Sequence, residues 1–192
     1  MMTSKLKQTV KNGAAIEFSS AYQIKHFLRY PLRYLIQLTS VNSGRSEHIA
    51  IIYNDYIYES LLSTKKVTKT LLVERVSTIE KQIELNCYNL IKPLTKKEEK
   101  KLEIFLEYWV QENDTYSIWQ ALYTILDKIP FFNLIKIPEN QKSCSKFFFQ
   151  CYQTIGRFPE DDNSNNYTPS EVINYAKKLK LLKQRIRIDK LS

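Results

Sequence analysis

The sequence predicts an α+β fold in which a small antiparallel sheet packs against helices. Short apolar runs of strand character fall mostly in the first half of the chain, and segments with helical apolar spacing fill most of the second half. The segment HIAIIYNDYIYES, residues 48–60, holds two β-type runs around an Asn-Asp pair that is typical of a two-residue hairpin turn. At 192 residues, with 43% apolar and 26% charged residues, the chain has the size and composition of one globular domain.

The first half is expected to supply the strands and one broken helix. A strand is predicted at residues 14–18, and the hairpin follows at residues 48–60. Between them, residues 22–38 have helix-like apolar spacing that is interrupted at Pro31. Two further short segments are strand candidates, residues 71–76 and 82–88.

The second half carries helix-start signals. Thr95 and Glu98 form a capping box, and apolar residues recur at helical spacing behind them. Thr168, followed by Pro169 and Glu171, combines an N-cap, a first-turn proline and an N3 acid. Two more helices are predicted at residues 116–129 and 143–155.

The net charge of +9 is concentrated at the end of the chain. Residues 177–192, KKLKLLKQRIRIDKLS, contain seven Lys or Arg residues against one acid. We expect this basic tail to be the solvated end of the last helix with a few buried leucines. The alternative is that the tail contacts nucleic acid or an anionic membrane.

The expected compartment is the cytoplasm. No apolar run is long enough to cross a membrane, and the N-terminus lacks the apolar stretch of a secretory signal, so secretion is not expected. Three cysteines form no disulfide framework and suit a reducing compartment. Abundant Lys, Ile, Asn and Tyr suit an AT-rich genome such as that of a large DNA virus, in which case the host cytoplasm or the virion is expected.

The hairpin brings one histidine and one glutamate to the same face. With Asn54-Asp55 as the turn, Tyr53 pairs with Tyr56, and His48 and Glu59 become diagonal neighbours. A carboxylate beside an imidazole fixes its tautomer and stabilises the charged ring. A surface pair that merely caps the sheet is the alternative, and a three-residue turn would abolish the pairing.

Cys144 is the candidate nucleophile. It is predicted to lie where a loop enters the helix of residues 143–155, and N–H groups at a helix start favour thiolate and can hold an oxyanion. An ordinary, partly buried cysteine is the alternative. We expect Cys87 and Cys151 to be buried hydrophobes and His26 to lie at the surface or in packing; no Cys-x-x-Cys pattern suggests zinc.

Six segments, taken in order, resemble the permuted papain-fold thiol hydrolases: GAAIEFSS, EHIAIIY, IYES, NDTYSIWQAL, SCSKFFFQCYQTIG and YTPSEVI. These are circularly permuted relatives of NlpC-type peptidases, with YiiX-like bacterial proteins and a poxvirus branch. The resemblance covers nearly everything from Gly13 to about Leu179 and implies one permuted papain-like domain over residues 1–192. It departs from the family pattern where Ala14 replaces an acid, where Lys146 follows Cys-Ser in place of Glu, and where a glycine is missing before Tyr116.

The resemblance implies a cysteine-dependent hydrolase or acyltransferase that acts on an amide or ester bond through a thioester. Cys144 would be the nucleophile, His48 the base and Glu59 the residue that orients the histidine, while Tyr116 would line the cleft or pack in the core. Expected substrates are peptide-like amides or fatty-acyl amides of lysine, with no metal or organic cofactor. The sequence leaves the oligomeric state open.

A non-catalytic binding protein is the competing hypothesis. Such a protein would keep the papain-like shape and hold nucleic acid or anionic membrane through the basic tail. Aromatic residues interleaved with Lys and Arg in YQIKHFLRYPLRY, residues 22–34, are consistent with it.

Overall fold

A computed structural model of the chain describes residues 9–20, 46–61, 64, 66–79, 83–112, 143–160 and 167–188. Among them, six strands are found: β1 (Ala15–Ser20), β2 (Ser46–Tyr53), β3 (Tyr56–Leu61), β4 (Lys66–Leu71), β5 (Ile83–Tyr88) and β6 (Ile186–Ile188). The helices of the same ranges are α1 (Leu72–Ser77), α2 (Lys96–Gln111), α3 (Cys144–Thr154) and α4 (Pro169–Lys178). The α+β prediction is therefore confirmed.

The strands form one antiparallel sheet in the order β4-β3-β2-β1-β5-β6. The β2–β3 turn is the predicted two-residue turn, since Asn54 and Asp55 both have positive φ angles, 49° and 65°. Tyr53 pairs with Tyr56 as expected, and Ile51 pairs with Tyr58. The turn therefore sets the register that relates His48 to the following strand.

Each side of the sheet has its own apolar core. On one side, α2, α3 and α4 pack over strand residues such as Ile49 and Ile51, and the fully buried residues Phe147, Phe148 and Phe149 anchor α3 there. The other side contains Ile16, Phe18, Ile52 and Cys87 and is covered by the buried side chains Leu72 and Val76 of α1. The sheet thus separates the three longer helices from α1.

The helix starts follow their predicted local signals. Both capping boxes form, at Thr95 with Glu98 and at Thr168 with Glu171. Ser143 is the N-cap of α3, since its hydroxyl accepts a hydrogen bond from the Lys146 N–H. These interactions are local along the chain, which explains why the sequence predicts them well.

One predicted strand forms a helix instead, and one strand was not predicted. Residues 71–76 were expected to form a strand, but α1 begins at Leu72, and the unpredicted strand β4 precedes it. Leu72 and Val76 are four residues apart, so a helix buries both on one face. In β4, KVTKTL, only Val67 is buried, and the other residues are lysines, threonines and an exposed leucine, so the sequence gives a weak strand signal. The short apolar run suits a strand or a buried helix equally well in sequence.

The basic tail is not a continuation of the last helix. α4 ends at Lys178, Lys180 has a positive φ of 54°, and β6 then pairs with β5. Leu182 and Ile188 are buried, and this burial together with the open edge of β5 favours a strand. The last residues of the tail, 189–192, lie outside the described residues, as do the segments 22–38 and 116–129.

Candidate active site

His48 lies beside an irregularity in the sheet. The β1–β2 register shifts between Phe18 and Ser19, because Phe18 pairs with His48 while Ser19 pairs with Ser46. Bulges of this kind bend a strand and change the direction of nearby side chains, and they are common beside active sites. The Phe18 and His48 rings are 5.0 Å apart, and the His48 side chain keeps 17% exposure.

Glu59 contacts the histidine from β3. The Nε2 atom of His48 is 2.9 Å from Oε2 of Glu59, and the carboxylate is fully buried. This is the diagonal contact that the hairpin register predicted. Because Nε2 is taken by Glu59, Nδ1 is the ring nitrogen that remains for a third group.

The third group is the thiol of Cys144, the first residue of α3. Burial alone would raise the pKa of Cys144, but the charge and hydrogen bond of His48 lower it below its ordinary value of 9.0. The backbone N–H of Ile49 and the Ser145 side chain also stabilise the thiolate. Cys144 is buried, with 6% exposure, so its sulfur is shielded from bulk water.

The histidine responds in the opposite direction. Burial alone would lower the pKa of His48, but the charge and hydrogen bond of Cys144, followed by those of Glu59, raise it from 6.5 to about 9. A lowered thiol pKa beside a raised imidazole pKa favours the thiolate–imidazolium pair at neutral pH. The structure thus brings Cys144, His48 and Glu59 into one contact network.

Arg75 joins the network, and sequence reasoning did not identify it. Its Nε donates to Oε1 of Glu59 at 2.5 Å, and its Nη2 donates to Oε2 at 3.2 Å. Burial alone would raise the pKa of Glu59, but His48 and then Arg75 lower it through hydrogen bonds and positive charge. Arg75 was missed because its segment was predicted as a strand; the spacing of Leu72 and Val76 was the available signal for a helix.

A second polar cluster lies on the helical side of the sheet. Oε2 of Glu17 accepts hydrogen bonds from the Tyr88 hydroxyl at 2.7 Å and from Nδ2 of Asn86 at 3.5 Å. Within the described ranges, Oδ1 of Asn86 is a buried oxygen with no hydrogen-bond partner. Sequence reasoning missed this cluster, since its residues come from different strands.

The other cysteines have the environments expected of buried hydrophobes. Cys87 and Cys151 are fully buried, and burial raises the pKa of Cys87 to about 12. Cys144 therefore differs from both in its charged surroundings. Tyr116 and His26 lie outside the described residues, so their predicted roles stay predictions.

In the residue ranges that the structure describes, no group of three or more His, Cys, Asp or Glu side chains is placed to hold a metal ion. No helix in these ranges combines the length and apolar character needed to span a bilayer.

Known proteins similar to this chain are found by structure and not by sequence. No protein-family model matches it, and no curated protein matches its sequence. Among solved structures, it is similar to the metalloprotein yiiX from Escherichia coli O157:H7, with a TM-score of 0.57 and 13% identity, covering 95% of this chain and 98% of that one. At this identity the similarity concerns the fold, so the chain has a YiiX-like α+β architecture.

Proposed function

We propose that the protein is a cysteine-dependent hydrolase or acyltransferase of papain-like type, acting on an amide or ester bond through a thioester. The observation that carries the proposal is the contact chain from the Cys144 thiol to His48 and from His48 to buried Glu59. The order His48, Glu59, Cys144 along the sequence agrees with a permuted papain-like chain, and the YiiX-like architecture is consistent with it.

The first half-reaction uses the ion pair between the Cys144 thiolate and the His48 imidazolium. The Cys144 thiolate attacks the carbonyl carbon, and first-turn N–H groups of α3 stabilise the oxyanion. The imidazolium of His48 then gives its proton to the departing amine or alcohol as the bond to carbon breaks, leaving a thioester on Cys144. A His48 pKa of about 9 keeps this proton available at neutral pH.

The second half-reaction needs a neutral imidazole. Acylation removes the negative charge of Cys144, which is the largest cause that raises the His48 pKa. The pKa of His48 therefore falls in the acyl-enzyme, and the ring can accept a proton from water or from an acceptor hydroxyl or amine. Glu59 holds the ring at Nε2 throughout, and Cys144 is regenerated when the thioester is cleaved.

The substrate class rests on the resemblance alone. Peptide-like amides and fatty-acyl amides of lysine are the proposed substrates, and the proposed steps use only side chains and backbone N–H groups of the chain itself. Tyr116 stays a proposed lining residue of the cleft.

The test is capture of an acyl-enzyme. The purified chain is incubated with p-nitrophenyl acetate, p-nitrophenyl octanoate and an acyl-lysine peptide, and the acylated cysteine is located by peptide mass spectrometry. We expect acylation and turnover to require Cys144 and to disappear in Cys144→Ser. Cys151→Ala is the matched control, since Cys151 lies buried on the same helix; equal turnover in both variants would refute the proposal.

We propose anionic-surface binding as a second function that does not depend on the thiol. Four basic side chains are exposed from the last residue of α4 to the residue before β6: Lys178, Lys180, Lys183 and Arg185. The segment that carries these charges is anchored to the domain by the buried side chains of Leu182 and Ile188. A fixed basic surface of this kind attracts nucleic acid or acidic lipid.

A further inference from the structure

Both oxygens of Glu59 are occupied by cations. Oε2 contacts His48 at 2.9 Å and Arg75 at 3.2 Å, and Oε1 accepts from Arg75 at 2.5 Å. The carboxylate is fully buried, and an ionised buried carboxylate without a partner is strongly unfavourable. His48 is positive in only part of the proposed reaction, whereas an arginine stays charged at every step. Arg75 is therefore the permanent counterion of Glu59.

Arg75 is also held in place. It lies on α1 between Leu72 and Val76, whose side chains are buried under the sheet. Its guanidinium carbon lies 5.2 Å from the centroid of the Phe18 ring, and the same ring lies 5.0 Å from His48. Phe18 thus contacts both the arginine and the histidine, which restricts the arrangement of cation, carboxylate and imidazole.

We propose that Arg75 is a positioning residue that keeps Glu59 ionised and aligned on Nε2 of His48 while the histidine gains and loses its proton. The proposal rests on the proposed thiol chemistry, in which His48 changes charge between the two half-reactions. Arg75 acts through Glu59. Its effect must therefore appear in the ionisation of His48 and Cys144 rather than in a contact with substrate.

The sign of that effect follows from the charges near the site. The titratable side chains that contact one another at the site are His48 on β2, Glu59 on β3 and Cys144 on α3. Glu74 of α1 and Lys66 of β4 are exposed to solvent, which screens them. Removing the positive charge of Arg75 destabilises the thiolate and relieves repulsion on the imidazolium, so the pKa values of Cys144 and His48 both rise.

The experiment measures alkylation of Cys144 by iodoacetamide as a function of pH. The rate should rise in two steps, first as the thiolate of the ion pair forms and again as His48 loses its proton near pH 9. In Arg75→Gln we expect both midpoints to move up by about 0.5 to 1 pH unit. On the first rise, the rate at fixed pH should then fall about three- to tenfold.

Arg157→Gln is the matched control. Arg157 makes the same two-point contact with a carboxylate, donating from Nε and Nη2 to Glu98 at 2.7 and 3.1 Å, but it lies outside the site. Its loss removes a partly buried arginine–glutamate pair without changing the charge around Cys144, so the alkylation profile should stay that of the unmodified chain. A shift as large in Arg157→Gln as in Arg75→Gln would overturn the proposal.

Arg75→Lys keeps the positive charge and loses one of the two hydrogen bonds to Glu59. We therefore expect the midpoints of the alkylation profile to move up by less than in Arg75→Gln. If Arg75→Gln does not fold by circular dichroism, the lysine variant decides: an unchanged first midpoint overturns the role of Arg75. The proposed function fails separately, if Cys144 of the unmodified chain shows no thiolate reactivity below pH 8.

Discussion

The imidazole Nε2 of His48 lies 2.9 Å from Oε2 of Glu59, although the two residues are 11 positions apart in the chain. A two-residue turn with positive φ at Asn54 and Asp55 produces this contact, because it sets which residues of β2 and β3 share a face. The contact leaves Nδ1 for Cys144, so the charges of the thiol, the imidazole and the carboxylate depend on one another.

His48→Ala should slow alkylation of Cys144 at pH 6 by at least about tenfold, since the charge of His48 is the main cause that lowers the thiol pKa. Iodoacetamide labelling followed by peptide mass spectrometry measures the rate. Cys87 and Cys151, both fully buried, are internal controls that should label slowly in either chain. An unchanged Cys144 rate at pH 6 would contradict the ion pair.

Cys144→Ser should lower the His48 pKa from about 9 toward its ordinary value, because the thiolate is its largest raising cause. Titration of the imidazole ring protons by NMR gives the pKa directly. The chain has two histidines, so His26→Gln identifies the His48 signal. A midpoint that stays near 9 in the serine variant would show that Cys144 does not set the charge of His48.

Glu98→Gln should destabilise the chain near pH 6 by about 1 to 3 kcal/mol, because it removes a carboxylate paired with Arg157 and shared with a capping box. Hydrogen bonds from Arg157 are the main cause that lowers the Glu98 pKa to about 2. The contribution is present above the unfolded pKa of about 4.3 and is lost as pH falls toward 2. Urea unfolding at several pH values measures the free energy of unfolding of the unmodified chain and of Glu98→Gln. The difference between the two should shrink below pH 4, and a difference that stays constant with pH would contradict this contribution of Glu98.

Replacement of Lys178, Lys180, Lys183 and Arg185 by glutamine should weaken binding to vesicles containing phosphatidylserine at least tenfold, at about 1 kcal/mol per basic residue near the surface. The substitutions keep Leu182 and Ile188, whose burial holds the segment on the sheet. Vesicle co-sedimentation measures the affinity, and single-stranded DNA in place of vesicles tests the nucleic-acid alternative. Equal binding of both chains to both probes would dismiss a role for this surface.

Local signals account for the elements that were predicted correctly. Thr95, Ser143 and Thr168 each accept a hydrogen bond from an N–H three residues ahead, so a few neighbouring residues suffice to start the helix. Asn54 and Asp55 tolerate positive φ by their own chemistry. The paired strands β2 and β3 followed from that turn.

Long-range partners account for what the sequence did not reveal. β6 forms only because β5, about a hundred residues earlier, offers an open edge, and Leu182 and Ile188 find apolar surface there. Residues 71–76 are apolar enough to form either a strand or a helix. The packing of Leu72 and Val76 against the sheet stabilises the helix. Arg75 reached Glu59 as a result of that helix.

The sequence by itself determined the hairpin register, the helix starts and the side-chain types of the candidate site, because all of these depend on backbone preferences and interactions over a few residues. Only the tertiary structure decided that Cys144 meets His48, that Arg75 shares Glu59 with the histidine, and that the tail ends in a strand. Each of these depends on burial against residues distant in the chain, where low exposure strengthens charge interactions and shifts the pKa values of the thiol and the imidazole.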